Sequence, residues 1–399
     1  MRRAAAQPWA VPPLYPYAKP KQPRETEVAL PRGVPAVIPG RRLLVGAIAT
    51  VLLLVGAAPA GAVSRQFFGL VPVGTLGPDE FQAMGDSNAG ALRFQLDWKS
   101  IQPTEGGAYD WSGTDALATN AALNGIELLP FAYGTPEYAS GSFREPPLGS
   151  PDAKQAWKDF LVAAAQRYGP GGEFWDEFTA QNPGAEPQPF EVWQIWNEEN
   201  SPSFFEPKPS PKKYAELLSI SDQALDSVDP GADVLLGGMF GTPNRNGAIF
   251  SWKFLKRLYK VKGAEQHFDA VALHPYSPNI AGIKAQIELA RDKIKKAGGG
   301  KPPIWITELG WGSAGNGPSD LIKSRAGQKK MLRKSFNLIL DRRGKWKIRR
   351  LFWFTLRDTG NPTDPVGGVC TWCASAGLLD KDLNPKPAFD QFRKFTGAS

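Results

Sequence analysis

Residues 304–311 read Ile304-Trp305-Ile306-Thr307-Glu308-Leu309-Gly310-Trp311, and residues 193–200 read Trp193-Gln194-Ile195-Trp196-Asn197-Glu198-Glu199-Asn200. Each is a short apolar run that ends in a carboxylate. A run of this length, closed by polar or Gly residues, reads as a buried strand. Ile304, Ile306 and Glu308 share a parity, which predicts that Glu308 continues one face of its strand. An isolated acid in such a place is costly to bury without a purpose or a partner.

Six similar stretches lie around these two. With strands expected at 68–73, 91–97, 126–132, 190–196, 233–237, 268–274, 303–307 and 351–356, the chain offers eight. Helical periods separate them, at 151–168, after Ser210-Pro211, and at 283–297, 321–341 and 387–395. Ser150-Pro151-Asp152 is a helix-start signal, since Pro at the first helical position gives up an N–H that would have been unpaired anyway. Residues 169–189 and 361–376 are rich in Gly, Pro and polar groups and read as loop insertions. Strand–helix alternation repeated eight times over about 330 residues predicts an α/β fold, a (β/α)8 TIM barrel over residues 65–399. Active residues of such barrels gather at the C-terminal ends of the strands. Glu198 after the fourth strand and Glu308 after the seventh then lie across one mouth.

The formal charge of +8 is unevenly placed. Residues 1–64 hold eight Lys/Arg and two acids, a net +6, which leaves +2 for the remainder. The high pI therefore belongs to the N-terminal segment and gives no reason to expect nucleic-acid binding by the folded part. Residues 1–42 are basic and Pro-rich and read as a disordered cytoplasmic segment. Residues 43–63 carry no charge over 21 positions, enough to span a bilayer, and follow Arg41-Arg42. The basic flank predicts that the barrel is exported. Two outcomes stay open: a retained anchor on the outer side of the cytoplasmic membrane, which the long leader favours, or a signal cut near Ala58-Pro59-Ala60 or Ala60-Gly61-Ala62. In Cys370-Thr371-Trp372-Cys373 a single pair of Cys cannot build a four-ligand zinc site, and a local loop disulfide is the expectation for an exported domain. The 13 Trp suit either sugar stacking or a large core.

Two carboxyls facing each other suit cleavage of a glycosidic bond. One must be protonated to donate to the leaving oxygen, and the other ionised to attack or to activate water. A separation of about 5–5.5 Å gives retention and about 6.5–9.5 Å gives inversion, which sequence does not decide. Here Trp196-Asn197-Glu198 and Thr307-Glu308 resemble the strand-four and strand-seven motifs of clan A glycoside hydrolases. The resemblance implies retention, with Glu198 as acid/base, Glu308 as nucleophile, and Asn197 on the sugar 2-hydroxyl. It further implies that Arg93 on strand two holds the nucleophile ionised, and that Tyr276 in His274-Pro275-Tyr276 hydrogen-bonds it while His274 lines the sugar site. Trp353 on strand eight would be the aromatic floor, with Trp311 a further platform beside Tyr133, Tyr138 and Trp372. The stretch from Trp98 to Pro103 with Tyr109-Asp110-Trp111 is similar to family 39 members. Glu199 departs from the pattern, since many members have Pro there; Glu198 is taken as the acid because it directly follows Asn197.

The expected partner is a β-linked oligo- or polysaccharide, with the membrane met through the N-terminal segment, no nucleic acid, no metal or organic cofactor, and a monomeric chain. Transglycosylation by the same residues and a non-catalytic glycan-binding barrel are the alternatives. Exo or endo action depends on loops and is not read from the sequence.

Overall fold

A computed structural model describes residues 63–242, 246–297, 300–315, 319–360 and 370–398. The expectations for residues 1–42 and 43–62, and for 361–369 of the second loop insertion, fall outside these. Among the described residues nine strands pair in parallel: β1 (Phe68–Val71), β2 (Ala91–Asp97), β3 (Glu127–Tyr133), β4 (Val192–Ile195), β5 (Asp233–Leu235), β6 (Met239–Phe240), β7 (Val271–His274), β8 (Ile304–Leu309) and β9 (Ile348–Phe354). Their order is β5-β4-β3-β2-β1-β9-β8-β7-β6. β5 lies within the expected fifth strand, 233–237, and β6 follows it after a break at Leu236-Gly237-Gly238 and extends the same stave. A parallel bridge from Leu235 to Ala270 joins β5 to the approach of β7, and Asp269 N donates to Val234 O at 2.8 Å. The two ends of the strand order are thus brought together, and nine strands serve as the eight staves of a (β/α)8 arrangement.

Among the described residues ten helices accompany the sheet: α1 (Pro78–Asp86), α2 (Trp98–Ile101), α3 (Ser112–Leu123), α4 (Pro151–Tyr168), α5 (Glu173–Gln181), α6 (Pro211–Asp226), α7 (Ser251–Leu258), α8 (Ile280–Ala297), α9 (Arg325–Trp346) and α10 (Pro387–Thr396). The start signals act as expected. Ser150 Oγ accepts from Ala153 N at 3.1 Å and Ser210 Oγ from Lys213 N at 3.3 Å, each ahead of a Pro. The reading of 169–189 as plain loop is corrected by α5. Its Phe174, Trp175 and Phe178 are buried against Tyr168, and this apolar face outweighs the acids and glycines around it. Among the described residues no helix is long and apolar enough to cross a membrane. Cys370 and Cys373 form a disulfide, with Cα atoms 5.5 Å apart.

The strands alternate between two apolar layers. Leu70, Phe94, Ile195, Ile304, Ile306, Leu351 and Trp353 pack outward under the helices. Val71, Ala91, Leu129, Val192, Ala272, Trp305, Phe352 and Phe354 face the inside of the sheet. The parity argument for Glu308 is therefore wrong in its reason, because Ile304 and Ile306 point away from the barrel interior. Ile306 pairs with Leu351 and Leu309 with Trp353, so three steps on β8 oppose two on β9. This extra residue is a β-bulge. It lets Leu309 return to the outer layer while Glu308 is released toward the mouth.

Candidate active site

Arg93 is fully buried on the inner face of β2 and organises the site. Its Nη1 donates to Glu308 Oε1 at 3.1 Å. Nε and Nη2 both donate to Gln194 Oε1, at 3.1 and 3.0 Å, and Nη2 also reaches Asn197 Oδ1 at 3.3 Å. The Phe131 ring lies 5.0 Å from the guanidinium carbon. One planar cation thereby links strands β2, β4 and β8, and its rigid fork suits such a multi-point role better than a Lys would.

Beyond β4 the backbone turns sharply. Trp196 has φ 74° and Glu198 φ 41°, in the left-handed region that costs a non-Gly residue about 1–3 kcal/mol. Surrounding bonds hold the turn. Glu198 N donates to Gly237 O at 2.7 Å. Tyr214 OH donates to Ile195 O at 2.9 Å and accepts from Gly237 N at 2.7 Å. Trp196 points outward onto Tyr133, 4.7 Å between centroids, which leaves Asn197 and Glu198 to face the interior.

His274 ends β7. Its Nδ1 lies 2.8 Å from Glu198 Oε1 and 3.3 Å from Glu308 Oε1. Its ring packs on Gly238, where φ is +73° and an added Cβ would come within 2.3 Å of Nε2, so only Gly admits the histidine. Tyr276 OH donates a short hydrogen bond to Glu308 Oε2. The sequence-predicted Glu198, Glu308, Asn197, Arg93, His274 and Tyr276 are thus brought into one buried cluster.

Trp353 and Trp311 are not. Trp353 lies in the outer layer with Nε1 donating to Ala376 O at 3.1 Å, and Trp311 packs beside it with Nε1 on Ser277 O at 2.9 Å. The strand-eight assignment was one residue out of phase: Phe354 holds the inner position. With Trp372 it walls the acids, since Trp372 stands 4.9 Å from the Tyr276 ring and 5.6 Å from Phe354. Gln194 was also missed, although a lone amide inside Val192-Trp193-Gln194-Ile195 is the kind of buried polar group that demands a partner.

Burial raises the carboxyls of both Glu198 and Glu308. At Glu198 the charge of Glu308 raises it further and Arg93 opposes. At Glu308 the Arg93 charge and the Tyr276 hydrogen bond act against the burial effect. The pair titrates as a unit, and the two donors direct its first negative charge to Glu308. One oxygen of each Glu and His274 Nδ1 lie within 4.8 Å of one another, a spacing that could suit a metal. The donor set does not fit one, because Arg93 and Tyr276 already occupy the two oxygens of Glu308. Behind the cluster Glu199 is fully buried, and among the described residues neither carboxyl oxygen is bonded outside its own residue. Burial pushes it up to about 8.

Residues 173–369 match the family described as glycosyl hydrolase catalytic core. About half of the chain is therefore similar to glycosyl hydrolase catalytic cores. The matched span includes Glu198, His274, Tyr276 and Glu308. No curated protein matches by sequence. Solved structures are similar in fold. A family 39 glycoside hydrolase from Bacteroides cellulosilyticus WH2 aligns at TM-score 0.59 and 17% identity, over 84% of this chain and 64% of that one. A monomeric β-xylosidase from Caulobacter crescentus CB15 gives 0.56 and 19%, over 84% and 68%. A family 10 structure from Paenibacillus barcinonensis gives 0.55 and 15%, over 84% and 96%. The chain thus spans about two thirds of the length of the first two enzymes, and the likeness to all three is one of fold.

Proposed function

We propose that the catalytic core cleaves O-glycosidic bonds of a β-linked glycan with retention, through Glu308 as nucleophile and Glu198 as acid/base. The observation that carries this reading is the approach of the two carboxylates, within 4.8 Å between oxygens. An approach this close is nearer the separation of about 5–5.5 Å used by retaining enzymes than the about 6.5–9.5 Å used by inverting ones. Glu308, whose charged form Arg93 and Tyr276 favour against the burial effect, attacks the anomeric carbon as Glu198 gives its proton to the leaving oxygen. Glu198, now charged, takes a proton from water, which attacks the glycosyl-enzyme and releases the sugar. Asn197 is turned toward this space by Arg93 and is suited to the sugar 2-hydroxyl. Phe354 and Trp372 supply the apolar wall that a sugar ring's C–H face prefers. The β-xylosidase among the similar structures supports a β-linked substrate. Residues 43–63 would hold the enzyme at the outer side of the membrane.

Aryl β-glycosides test the roles. Glu308→Ala should lose about 10⁴-fold or more in turnover and regain activity with azide, giving the inverted glycosyl azide. Glu198→Ala should retain the glycosylation step on activated leaving groups and give the β-azide. Normal turnover in both variants, or an inverted product from the wild type, overturns the assignment.

A further inference from the structure

Residues 325–350, covering α9 and the start of β9, hold eleven Lys/Arg and one acid, Asp341. Their net +10 sits in a barrel region, 65–399, whose total is only +2, so everything else in it sums to −8. Lys330, Arg333, Lys334, Arg342, Lys345 and Arg349 are exposed. Among the described residues none of these six is in an ion pair. The five on α9 recur at helical spacing over its 22 residues and share one side. A solvated face of an ordinary helix mixes signs about evenly, whereas here one exposed acid, Asp341, stands among five cations.

The chain arrives at the foot of this stripe. Arg343 lies over the Phe67 ring at 5.9 Å, and Arg350 donates a short hydrogen bond to Gln66 O. Immediately before stand the 21 uncharged residues 43–63. A segment of that kind in a bilayer would bring α9 within a few residues of the headgroups, where cations are drawn to anionic lipid. We propose that the exposed side of α9 is a docking face for an anionic phospholipid surface, which lays the barrel on the membrane by its flank. The barrel axis then runs along the membrane, and the mouth opens sideways toward glycan at the surface. The opposite flank, with α4 and α6, is left to solvent.

The full chain reconstituted in vesicles tests this. One set is phosphatidylcholine alone, and the other contains about one quarter phosphatidylglycerol. Surface lysines are acetylated briefly and located by mass spectrometry. Lys330, Lys334 and Lys345 should be protected about fivefold or more on the anionic vesicles only, with Lys212 and Lys213 of α6 unchanged. Protection should vanish near 0.5 M NaCl and in an Arg333→Glu/Lys334→Glu/Arg342→Glu variant of unchanged melting temperature. Equal labelling on both vesicles overturns the proposal. So does protection by dissolved polygalacturonate without protection by anionic lipid, which would make the partner an acidic glycan. A chain that fails to join phosphatidylcholine vesicles reports on residues 43–63, and flotation with the anionic vesicles still decides the docking face.

Discussion

At the scale of single residues, the two oxygens of Glu308 are assigned to two different donors, Arg93 and Tyr276. The consequence is a division of labour. Arg93 is buried without exposure and spans three strands, so its loss would disturb the fold as well as the chemistry. Tyr276 gives up only a hydroxyl. Tyr276→Phe removes a hydrogen bond that favours the charged form of Glu308, so the nucleophile's ionisation moves upward. The acid limb of kcat/KM should shift to higher pH by about one unit, with a fall in kcat and little change in melting temperature. An unmoved acid limb would mean that Tyr276 does not act on the group that limits activity at low pH. These two residues were legible through the resemblance to the clan A motifs, Arg93 within the second strand and Tyr276 just after the sixth. Glu199 was visible only as a departure from a pattern. That it is buried with no outside partner depends on how Gly237 and Tyr214 pack against it, which spacing along the chain does not reveal.

At the scale of elements, two strands show where a period-two reading fails. On β8 Glu308 reaches the mouth for another reason than the parity suggests, since the bulge between Ile306 and Leu309 and not simple alternation aims it. Bulges leave no signature in an apolar run. On β9 the sequence Leu351-Phe352-Trp353-Phe354 is aromatic on both faces, so hydrophobicity cannot fix the phase. The layers fix it: Trp353 joins Phe336 of α9, while Phe354 meets Tyr276. Trp353→Phe should therefore lower stability by about 1–2 kcal/mol and leave KM for an aryl glycoside unchanged. Phe354→Ala should raise KM severalfold. The opposite pattern, with KM responding to Trp353 and not to Phe354, would return the tryptophan to the sugar site. The disulfide was readable from the CxxC spacing and its surroundings. The placement of Trp372 between the two cysteines, above Tyr276, was not, because it depends on how the loop folds over the mouth.

At the scale of the whole molecule, the barrel was legible because βα units impose a rhythm that survives errors of a few residues at every boundary. Its closure was not, because the fifth strand breaks at Gly237-Gly238 and only tertiary contacts show that β5 and β6 continue one stave. The uneven charge was misjudged for a related reason. A net +2 over 65–399 looks neutral until α9 is set apart from the rest. The site also acts on the stability of the entire fold. Glu198 and Glu199 are both raised by burial, so the folded chain keeps protons that the unfolded chain releases above the usual carboxylate range. Stability from these groups is then greatest at low pH and declines as pH rises, by about 1.4 kcal/mol per unit for each group. For Glu199 the decline begins near the ordinary carboxyl value of 4.5 and ends near its folded value of about 8. Glu199→Gln removes the titration while keeping the shape. Its unfolding free energy should fall less steeply than the wild type's between pH 5 and 8, by about one proton's worth of slope, and the two curves should run parallel above that window. Parallel curves inside the window would mean that Glu199 is already ionised in the folded chain and has found a partner.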